Sequence, residues 1–242
     1  MNLLTFDHVS FQYENGLPIL QDISLSVGPD ESVGLIGANG AGKTTLMKML
    51  PGLLLPNEGQ VTVADIVVNK KNLSQARRKV GYVFQDSDSQ LFMATAYDDV
   101  AFGPRNYGHT EEEVAERVLT AMEQCGCLHL KDKQIYKMSG GEKKLVSLAT
   151  VMAMRPRCLL LDEPSVALDP RNRRNLISLL NSLPVAKLIA SHDLDMIWDT
   201  CGRPILIDQG KIIADGDTKT ILQDKELLEA HGLELPLRLF KE

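Results

Sequence analysis

The sequence has few cysteines and no long apolar run, and each shortage excludes a class of protein. Four cysteines in 242 residues are too few for a disulfide-stabilised scaffold of this size. No apolar run reaches the roughly 18 residues that a membrane-spanning helix needs. The N-terminal segment lacks the charged and apolar regions of a signal peptide. We therefore expect a protein that stays in the cytoplasm.

Positive charge is also in short supply. The chain has 26 Lys and Arg against 32 Asp and Glu, which gives a net charge of −6. A protein that binds nucleic acid by neutralising backbone phosphates needs a basic surface, so we expect no nucleic-acid partner. The hydrophobic fraction of 44% is ordinary for a globular protein, and a chain of this length can bury a sizeable core.

Short apolar segments alternate with helical patterns, which predicts an α/β fold. From about residue 86 to 155 the helical period dominates, with a capping-box pattern at Thr110 and Glu113 and a second helix start at Ser139. The sequence therefore predicts a helical insert within an α/β core. Strands are predicted over 3–13, 23–27, 32–36, 61–68, 80–84, 159–161, 188–190, 205–207 and 212–214.

The segment from Cys125 to His129, Cys-Gly-Cys-Leu-His, contains residue types that bind metals. No second pair of ligands at the spacing of a structural zinc site is present. Cys125 instead continues the apolar stripe of the preceding helix, and Gly126 is typical of the residue that ends a helix. We therefore predict a helix terminus here.

The strongest functional signal is a glycine-rich loop between an apolar strand and a helix. The run from Gly37 to Thr44 reads Gly-Ala-Asn-Gly-Ala-Gly-Lys-Thr, which fits the phosphate-binding pattern. Glycines let backbone N–H groups curl around phosphate oxygens, next to the positive end of the following helix. Lys43 would reach the outer phosphates, and the Thr44 hydroxyl would ligate Mg²⁺. The predicted nucleotide-binding residues here are Gly37, Ala38, Asn39, Gly40, Ala41, Gly42, Lys43, Thr44 and Thr45.

A second signal is the apolar strand that ends in two acids, Leu-Leu-Leu-Asp-Glu at 159–163. Many strands end in solvated carboxylates, so the pattern alone is weak. Beside a phosphate-binding loop, Asp162 is placed to deliver a carboxylate to Mg²⁺. Glu163, one residue further, can orient or deprotonate the attacking water.

A third motif, Ser139-Gly140-Gly141-Glu142, precedes a helix about a hundred residues after the loop. Taken alone, Ser-x-x-Glu is an ordinary capping box. Beside the other two motifs it resembles the signature of the ATP-binding-cassette (ABC) ATPases, whose Ser and Gly N–H groups face the γ-phosphate of ATP on the other subunit. The family usually has Leu-Ser-Gly-Gly-Gln, so Met138 and Glu142 depart from it. We predict that Glu142 turns back to the Ser139 backbone N–H.

The resemblance covers nearly the whole chain and implies further site residues. Gln85 matches the family's glutamine that joins the Mg²⁺ and water site to the helical insert, and His192 matches the histidine that contacts the γ-phosphate. Tyr13 matches the aromatic that stacks on adenine, although Phe11 on the same strand face can serve instead. The segment 165–169 matches the loop that crosses the dimer interface. The implied catalytic residues are Glu163, His192 and Gln85, the implied Mg²⁺ ligands are Thr44, Gln85 and Asp162, and the signature adds Ser139, Gly140 and Gly141 to the ATP-binding set.

The resemblance also implies the architecture and the mechanism. The fold would be a P-loop NTPase of the ABC ATPase type, with a RecA-like core, an antiparallel β subdomain and an inserted helical subdomain. The ATPase domain would span 1–225, with the helical subdomain at about 86–155, and a tail would span 226–242. Each ATP would lie between the loop of one subunit and the signature of the other, so ATP would drive dimerisation.

The segments 85–92 and 98–104 resemble those of energy-coupling-factor importers, which take up vitamins and the transition metals nickel and cobalt. Their ATPases carry a short helix here that ends in Gln-Leu-Phe and touches the coupling helices of the transmembrane subunit. Ser87 and Asp88 replace the Pro-Asp or Pro-Glu that usually precedes it. Leu91, Phe92 and Met93 can equally be buried core residues.

The stretch 142–156 is similar to the nickel/cobalt branch of these importers. The resemblance therefore implies an ATPase on the cytoplasmic face of the cell membrane, with ATP and Mg²⁺ as cofactors. Its partners would be a second copy or a second ABC ATPase, a transmembrane coupling subunit and a membrane substrate-binding subunit. The alternatives are an importer of a vitamin or another small solute, an ABC ATPase that acts mechanically on a ribosome or on DNA, and a P-loop kinase. A kinase would leave the signature, Gln85 and His192 unexplained.

Overall fold

The computed structural model describes residues 2–14 and 16–240, which form two β-sheets with helices packed around them. Residues 1 and 15 of the predicted ATPase domain and residues 241 and 242 of the predicted tail lie outside the described residues. The strands are β1 (Leu4–Gln12), β2 (Pro18–Val27), β3 (Ser32–Ile36), β4 (Glu58–Val63), β5 (Ile66–Val67), β6 (Val80–Val83), β7 (Cys158–Asp162), β8 (Ala186–Ala190), β9 (Arg203–Asp208) and β10 (Lys211–Asp215). The helices are α1 (Lys43–Met49), α2 (Leu73–Arg77), α3 (Ala96–Asn106), α4 (Glu111–Gln124), α5 (Gly140–Met152), α6 (Pro170–Ser182), α7 (Leu194–Thr200), α8 (Thr218–Gln223) and α9 (Lys225–Ala230).

The central sheet has six strands in the order β10-β9-β3-β8-β7-β6. All neighbours in it are parallel except β9 and β10. Its middle strands are continuous apolar runs because both faces of the sheet are covered. Along β7, Leu159 and Leu161 pack into one buried cluster with the helices α3 to α8, and Leu160 packs into a second with α1 and the other sheet. The α/β prediction is confirmed.

The second sheet is antiparallel, with the strand order β2-β1-β4-β5. The prediction of one strand over 61–68 is wrong, because the chain turns back on itself between β4 and β5. Ala64 and Asp65 both have positive φ, of 47° and 67°, and Val63 pairs with Ile66. Two such residues form the tight turn whose twist suits a two-residue hairpin.

Three long helices, α3, α4 and α5, lie between β6 and β7 in the chain. The capping box that begins α4 is present as predicted, with the Thr110 side chain accepting from the Glu113 N–H and the Glu113 side chain accepting from the Thr110 N–H. The predicted end of this helix is also confirmed, because Cys125 is its C-cap and Gly126 follows with φ 66°. The division of the chain at residue 225 stays a prediction.

Leu237 and Arg238 form hydrogen bonds and ion pairs with α7. The backbone N–H of Leu237 donates to Asp195 Oδ2 at 2.7 Å, and Arg238 Nε donates to Asp195 Oδ1 at 2.9 Å. Arg238 also pairs with Asp199 at 2.7 Å. These bonds hold residues 237–239, a short 3₁₀ turn, against the helix that follows His192.

The parallel strands bring the predicted motifs to one edge of the central sheet. Strands β3, β8, β7 and β6 are neighbours, so the segments that follow their carboxyl ends meet there. The glycine-rich loop follows β3, Gln85 follows β6, Glu163 follows β7 and His192 follows β8. Among the described residues, none of the helices combines the length and the apolar character that a membrane crossing requires.

Candidate nucleotide site

A cavity of 610 Å³ lies at this edge of the sheet and collects residues from five separate parts of the chain. Of the predicted residues, Gly37, Ala38 and Asp162 bond to residues of its lining, while Ser139, Gly140 and Gly141 are not part of the lining. The lining consists of Tyr13, Ile19, Asn39, Gly40, Ala41, Gly42, Lys43, Thr44, Thr45, Gln85, Glu163, Val166, Ala167 and His192. One chain therefore assembles most, and not all, of the predicted site.

Two glycines allow the loop its shape. Gly42 caps α1 with φ 110°, a left-handed conformation that residues with a side chain rarely adopt. A Cβ on Gly42 would also lie 2.8 Å from Leu20 Cδ2, and a Cβ on Gly37 would collide with the carbonyl oxygen of Ile207. The loop is thus packed against neighbouring strands, and its residues from Asn39 to Lys43 line the cavity, as a phosphate cradle requires.

Lys43 places a buried positive charge at the floor of this cradle. Its Nζ donates to the carbonyl oxygens of Gly37 at 2.6 Å and Ala38 at 3.1 Å. Burial lowers the pKa of Lys43, and the carboxylates of Glu163 and Asp162 oppose that shift. Both bonded partners are uncharged, so the ammonium can attract an anion that enters the cavity.

Asp162 gathers two hydroxyl groups at the end of β7. The Thr44 hydroxyl donates to Asp162 Oδ1 at 3.1 Å, and the Tyr82 hydroxyl donates to Asp162 Oδ2 at 2.9 Å. Burial and the neighbouring carboxylate raise the pKa of Tyr82, which keeps its proton as a donor. Carboxylate and hydroxyl oxygens are ligands that Mg²⁺ prefers, so the donor set fits this ion. The sequence analysis did not predict Tyr82, because its partner Asp162 is distant in the chain. Its position on a predicted strand was the one available signal.

Glu163 is held in an uncommon conformation by the neighbouring strand. It has φ 45°, rare for a residue with a side chain, and its N–H donates to the carbonyl of Ala190 at 2.8 Å. Its Oε2 accepts from the Ser191 hydroxyl at 3.1 Å and from the His192 N–H at 3.2 Å, and lies 2.9 Å from His192 Nδ1. The side chain, in a residue only 8% exposed, is therefore oriented at the cavity wall. Ser191 was also not predicted.

The two aromatic candidates occupy different environments. Tyr13 is 48% exposed and lines the cavity, whereas Phe11 is buried. Their rings meet edge to face with centroids 4.9 Å apart. The geometry therefore favours Tyr13 as the ring that a nucleotide base would meet, with Phe11 supporting it.

Gln85 lines the cavity, and its backbone is bonded to the helix α5. The buried Lys144 donates from Nζ to the carbonyl oxygens of Gln85 at 2.8 Å and Phe84 at 3.1 Å. Burial lowers the pKa of Lys144. Sequence reasoning missed this lysine because a charged residue one turn into a helix is usually solvated.

The signature motif begins α5 with a complete capping box. The Ser139 hydroxyl accepts from the Glu142 N–H at 3.3 Å, and Glu142 Oε2 accepts from the Ser139 N–H at 2.8 Å. The prediction that Glu142 turns back to this N–H is therefore confirmed. Lys133 donates to Glu142 Oε1 at 2.7 Å, and this bond together with the Ser139 N–H holds the pKa of Glu142 below its usual range.

An exposed aromatic pair lies beyond Gln85. The short helix that the resembled ATPases carry before Gln-Leu-Phe is not formed in this chain, which makes a single turn in which the N–H groups of Gln90 and Leu91 donate to the Ser87 carbonyl. Leu91 is buried, but Phe92 is 65% exposed and its ring meets Phe102 edge to face at 4.8 Å. Phe92 therefore leaves an apolar surface exposed at the segment where the resemblance predicts contact with a transmembrane subunit.

Comparisons with known proteins find relatives for most of the chain. The family model described as "ABC transporter" matches residues 20–166. A putative ABC transporter ATP-binding protein of Gloeobacter violaceus is 49% identical, and the match covers 98% of either chain. The energy-coupling factor transporter ATP-binding protein EcfA2 of Caldanaerobacter subterraneus subsp. tengcongensis is 39% identical over 95% of this chain and 84% of its own. The structure of cbiO1 from Clostridium perfringens, part of the ABC transporter complex cbiONQ, has a TM-score of 0.86 at 33% identity and covers 95% of this chain and 94% of its own.

Proposed function

Because the chain belongs to the ABC transporter family of ATPases, we propose that it works in pairs as the ATP-hydrolysing subunit of an energy-coupling-factor importer. The observation that carries the ATPase role is the single cavity that Lys43, Thr44 and Glu163 share. The name of the relative EcfA2 and the resemblance of 85–92 to energy-coupling-factor ATPases support the importer class.

The residues of the cavity have different roles in the binding and hydrolysis of ATP. Lys43 and the loop N–H groups bind the phosphates of ATP, and Tyr13 stacks on the adenine. Thr44, Gln85 and Asp162 would hold Mg²⁺, which when bound neutralises phosphate charge.

The reaction needs a water molecule and a base to activate it. The Glu163 carboxylate accepts a proton from the attacking water, because it lies at the cavity wall and is oriented by Ser191 and the His192 N–H. The His192 ring, whose Nδ1 is 2.9 Å from Glu163 Oε2, contacts the γ-phosphate.

Pairing is supported by the signature motif, which lies outside the cavity of its own chain. Ser139, Gly140 and Gly141 do not line that cavity, and their resemblance to the ABC signature supports a contact with ATP bound to a second subunit. ATP then favours the closed pair because only the closed pair supplies both sets of contacts. The second subunit is another copy of this chain or a second ABC ATPase.

We further propose that the pair powers the import of nickel or cobalt ions on the cytoplasmic face of the membrane. The resemblance of 142–156 to the nickel/cobalt branch supports this substrate, and a vitamin or another small solute is the alternative. The exposed Phe92 and Phe102 would contact the transmembrane coupling subunit, and a further membrane subunit would bind the substrate.

ATP-driven pairing can be tested by the mass of the Glu163→Gln protein, measured by light scattering with and without Mg·ATP. We expect a shift from monomer to dimer, because the bound ATP is no longer consumed. The variant that also carries Lys43→Ala should stay a monomer. A Glu163→Gln protein that binds ATP and remains a monomer would contradict the proposal that ATP closes the pair.

The importer role can be tested in the organism that encodes the chain. Tagged Phe92→Ala should recover less of the membrane partner than wild type, whereas Leu53→Ala, which truncates another exposed apolar side chain, should recover the same amount. Deletion of the gene should reduce uptake of labelled Ni²⁺ or Co²⁺, and Glu163→Gln should not restore it. Loss of vitamin uptake with intact metal uptake would select the alternative substrate.

A further inference from the structure

We propose that Lys144 is a positioning residue that fixes the backbone of Gln85 and thereby joins the cavity of one subunit to the signature that serves the other. The inference rests on the proposed function, since it needs Gln85 to act in the cavity and Ser139 to act in the paired subunit. Its basis is a set of buried bonds between the segment after β6 and the helix α5.

Lys144 is 4% exposed, and the two bonds of its Nζ go to carbonyl oxygens of consecutive residues. These are Phe84, at 3.1 Å, and Gln85, at 2.8 Å. A buried ammonium without hydrogen-bond acceptors is energetically costly. Both bonds are therefore favoured, and they fix the positions of the ammonium and of the two carbonyl groups. The two bonds orient the peptide groups on either side of the Gln85 Cα, from which the side chain reaches the cavity.

Gln90 provides a second link between this segment and α5. Its Oε1 accepts from the Phe84 N–H at 3.0 Å, and its Nε2 donates to the Ser147 carbonyl at 2.8 Å and to the Thr150 hydroxyl at 2.9 Å. Ser147 and Thr150 lie on α5, as does Lys144. Two side chains, those of Lys144 and Gln90, therefore bond the segment to this helix.

The same helix carries the signature at its first turn. Ser139 is its N-cap, and Lys144 follows five residues later, about 7.5 Å along the helix axis. A movement of α5 that shifts the signature must therefore also shift Gln85. When ATP contacts the signature of one subunit, the resulting movement of α5 would change the position of Gln85 in the cavity of the same subunit.

A second buried lysine provides a matched control. Lys187 is 6% exposed, and its Nζ also donates to two carbonyl oxygens, those of Leu183 and Val185, both at 2.9 Å. It lies near the start of β8, at the opposite end of that strand from Ser191, and does not line the cavity. Lys187→Met therefore removes the same kind of buried bonds without touching Gln85.

The first test compares Lys144→Met with Lys187→Met in full-length protein. We expect Lys144→Met to lower kcat by about 10- to 100-fold, because small misplacements of catalytic groups have effects of that size. The Kd for a non-hydrolysable ATP analogue should stay within about twofold, since Lys43 and the loop are unchanged. Lys187→Met should lose thermal stability with little change in kcat. Equal kcat losses in the two variants would overturn the proposal.

The second test is a double-mutant cycle with Gln85→Ala. If Lys144 acts through Gln85, the variant carrying both changes should be no slower than Gln85→Ala alone, and multiplied losses would overturn the proposal. Should Lys144→Met fail to fold, Gln90→Met removes the second link between this segment and α5. We then expect the variant that carries Gln90→Met and Gln85→Ala to be no slower than Gln85→Ala alone. A wild-type protein that does not hydrolyse ATP would instead refute the proposed function.

Discussion

Replacing Glu163 by glutamine should remove the proton-accepting group while leaving the structure of the cavity largely unchanged. The change keeps one side-chain oxygen, which can still accept from the Ser191 hydroxyl and the His192 N–H, now at 3.1 and 3.2 Å. Bonds to a charged acceptor contribute about 1.5–3 kcal/mol and neutral ones about 0.5–1.5 kcal/mol. Each of the two bonds should weaken by about 1 kcal/mol, so we expect the free energy of unfolding to fall by about 2 kcal/mol, which lowers Tm by about 4–8 °C in a chain of this size.

Turnover should respond far more strongly, because an amide cannot accept a proton from water. A positioned general base contributes about 10²–10⁴ in rate, so kcat should fall by that factor. The loss corresponds to about 3–5 kcal/mol in the activation barrier. ATP affinity should not fall, since Lys43 and the loop keep their contacts.

Phosphate release at saturating Mg·ATP measures kcat, and a fluorescence titration and a melting curve measure affinity and stability. Glu229→Gln is the matched control, because Glu229 is an exposed carboxylate on α9 that pairs only loosely with Lys225, at 3.6 Å. A Glu163→Gln protein with near wild-type kcat would refute the role of the base. Loss of ATP binding together with turnover would show that the change had disrupted the cavity instead.

Two further predictions concern binding and stability. Lys43→Ala should weaken ATP binding by about 10- to 100-fold, because it removes charge-assisted bonds to the phosphates; a titration that returns an unchanged Kd would contradict this. Thr110→Ala removes the N-cap of α4 and should cost about 1 kcal/mol, or about 2–4 °C in Tm, with kcat unchanged because the cap lies outside the cavity. A fall in kcat with no change in Tm would show that the cap has a different role.

Local patterns predicted most strands and the helices that begin near Thr110 and Ser139, because their signals lie within a few residues of each other. The capping boxes at Thr110 and Ser139 are present as expected, since each depends on side chains three positions apart. The hairpin at Ala64 and Asp65 was missed because the pair lacks the glycine of the Asn-Gly or Asp-Gly sequence that usually marks such a turn. The helix that the resembled ATPases carry before Phe92 is absent where Ser87 and Asp88 depart from their pattern, and the Asp86 carboxylate accepts from the Asp88 N–H, an alternative to helical bonding.

Phosphate binding is predicted from the amino-acid sequence alone, because the glycines, the lysine and the hydroxyl all lie in one run from Gly37 to Thr44. Glu163 is predicted in the same way, because an apolar strand that ends in acids is a pattern of adjacent residues. Which distant side chains meet depends instead on how the strands and helices pack. Tyr82 reaches Asp162 because β6 pairs in register with β7, and Lys144 reaches Gln85 because α5 packs beside β6. Periodicity along the chain carries no information on such pairings, which arise from sheet order and packing.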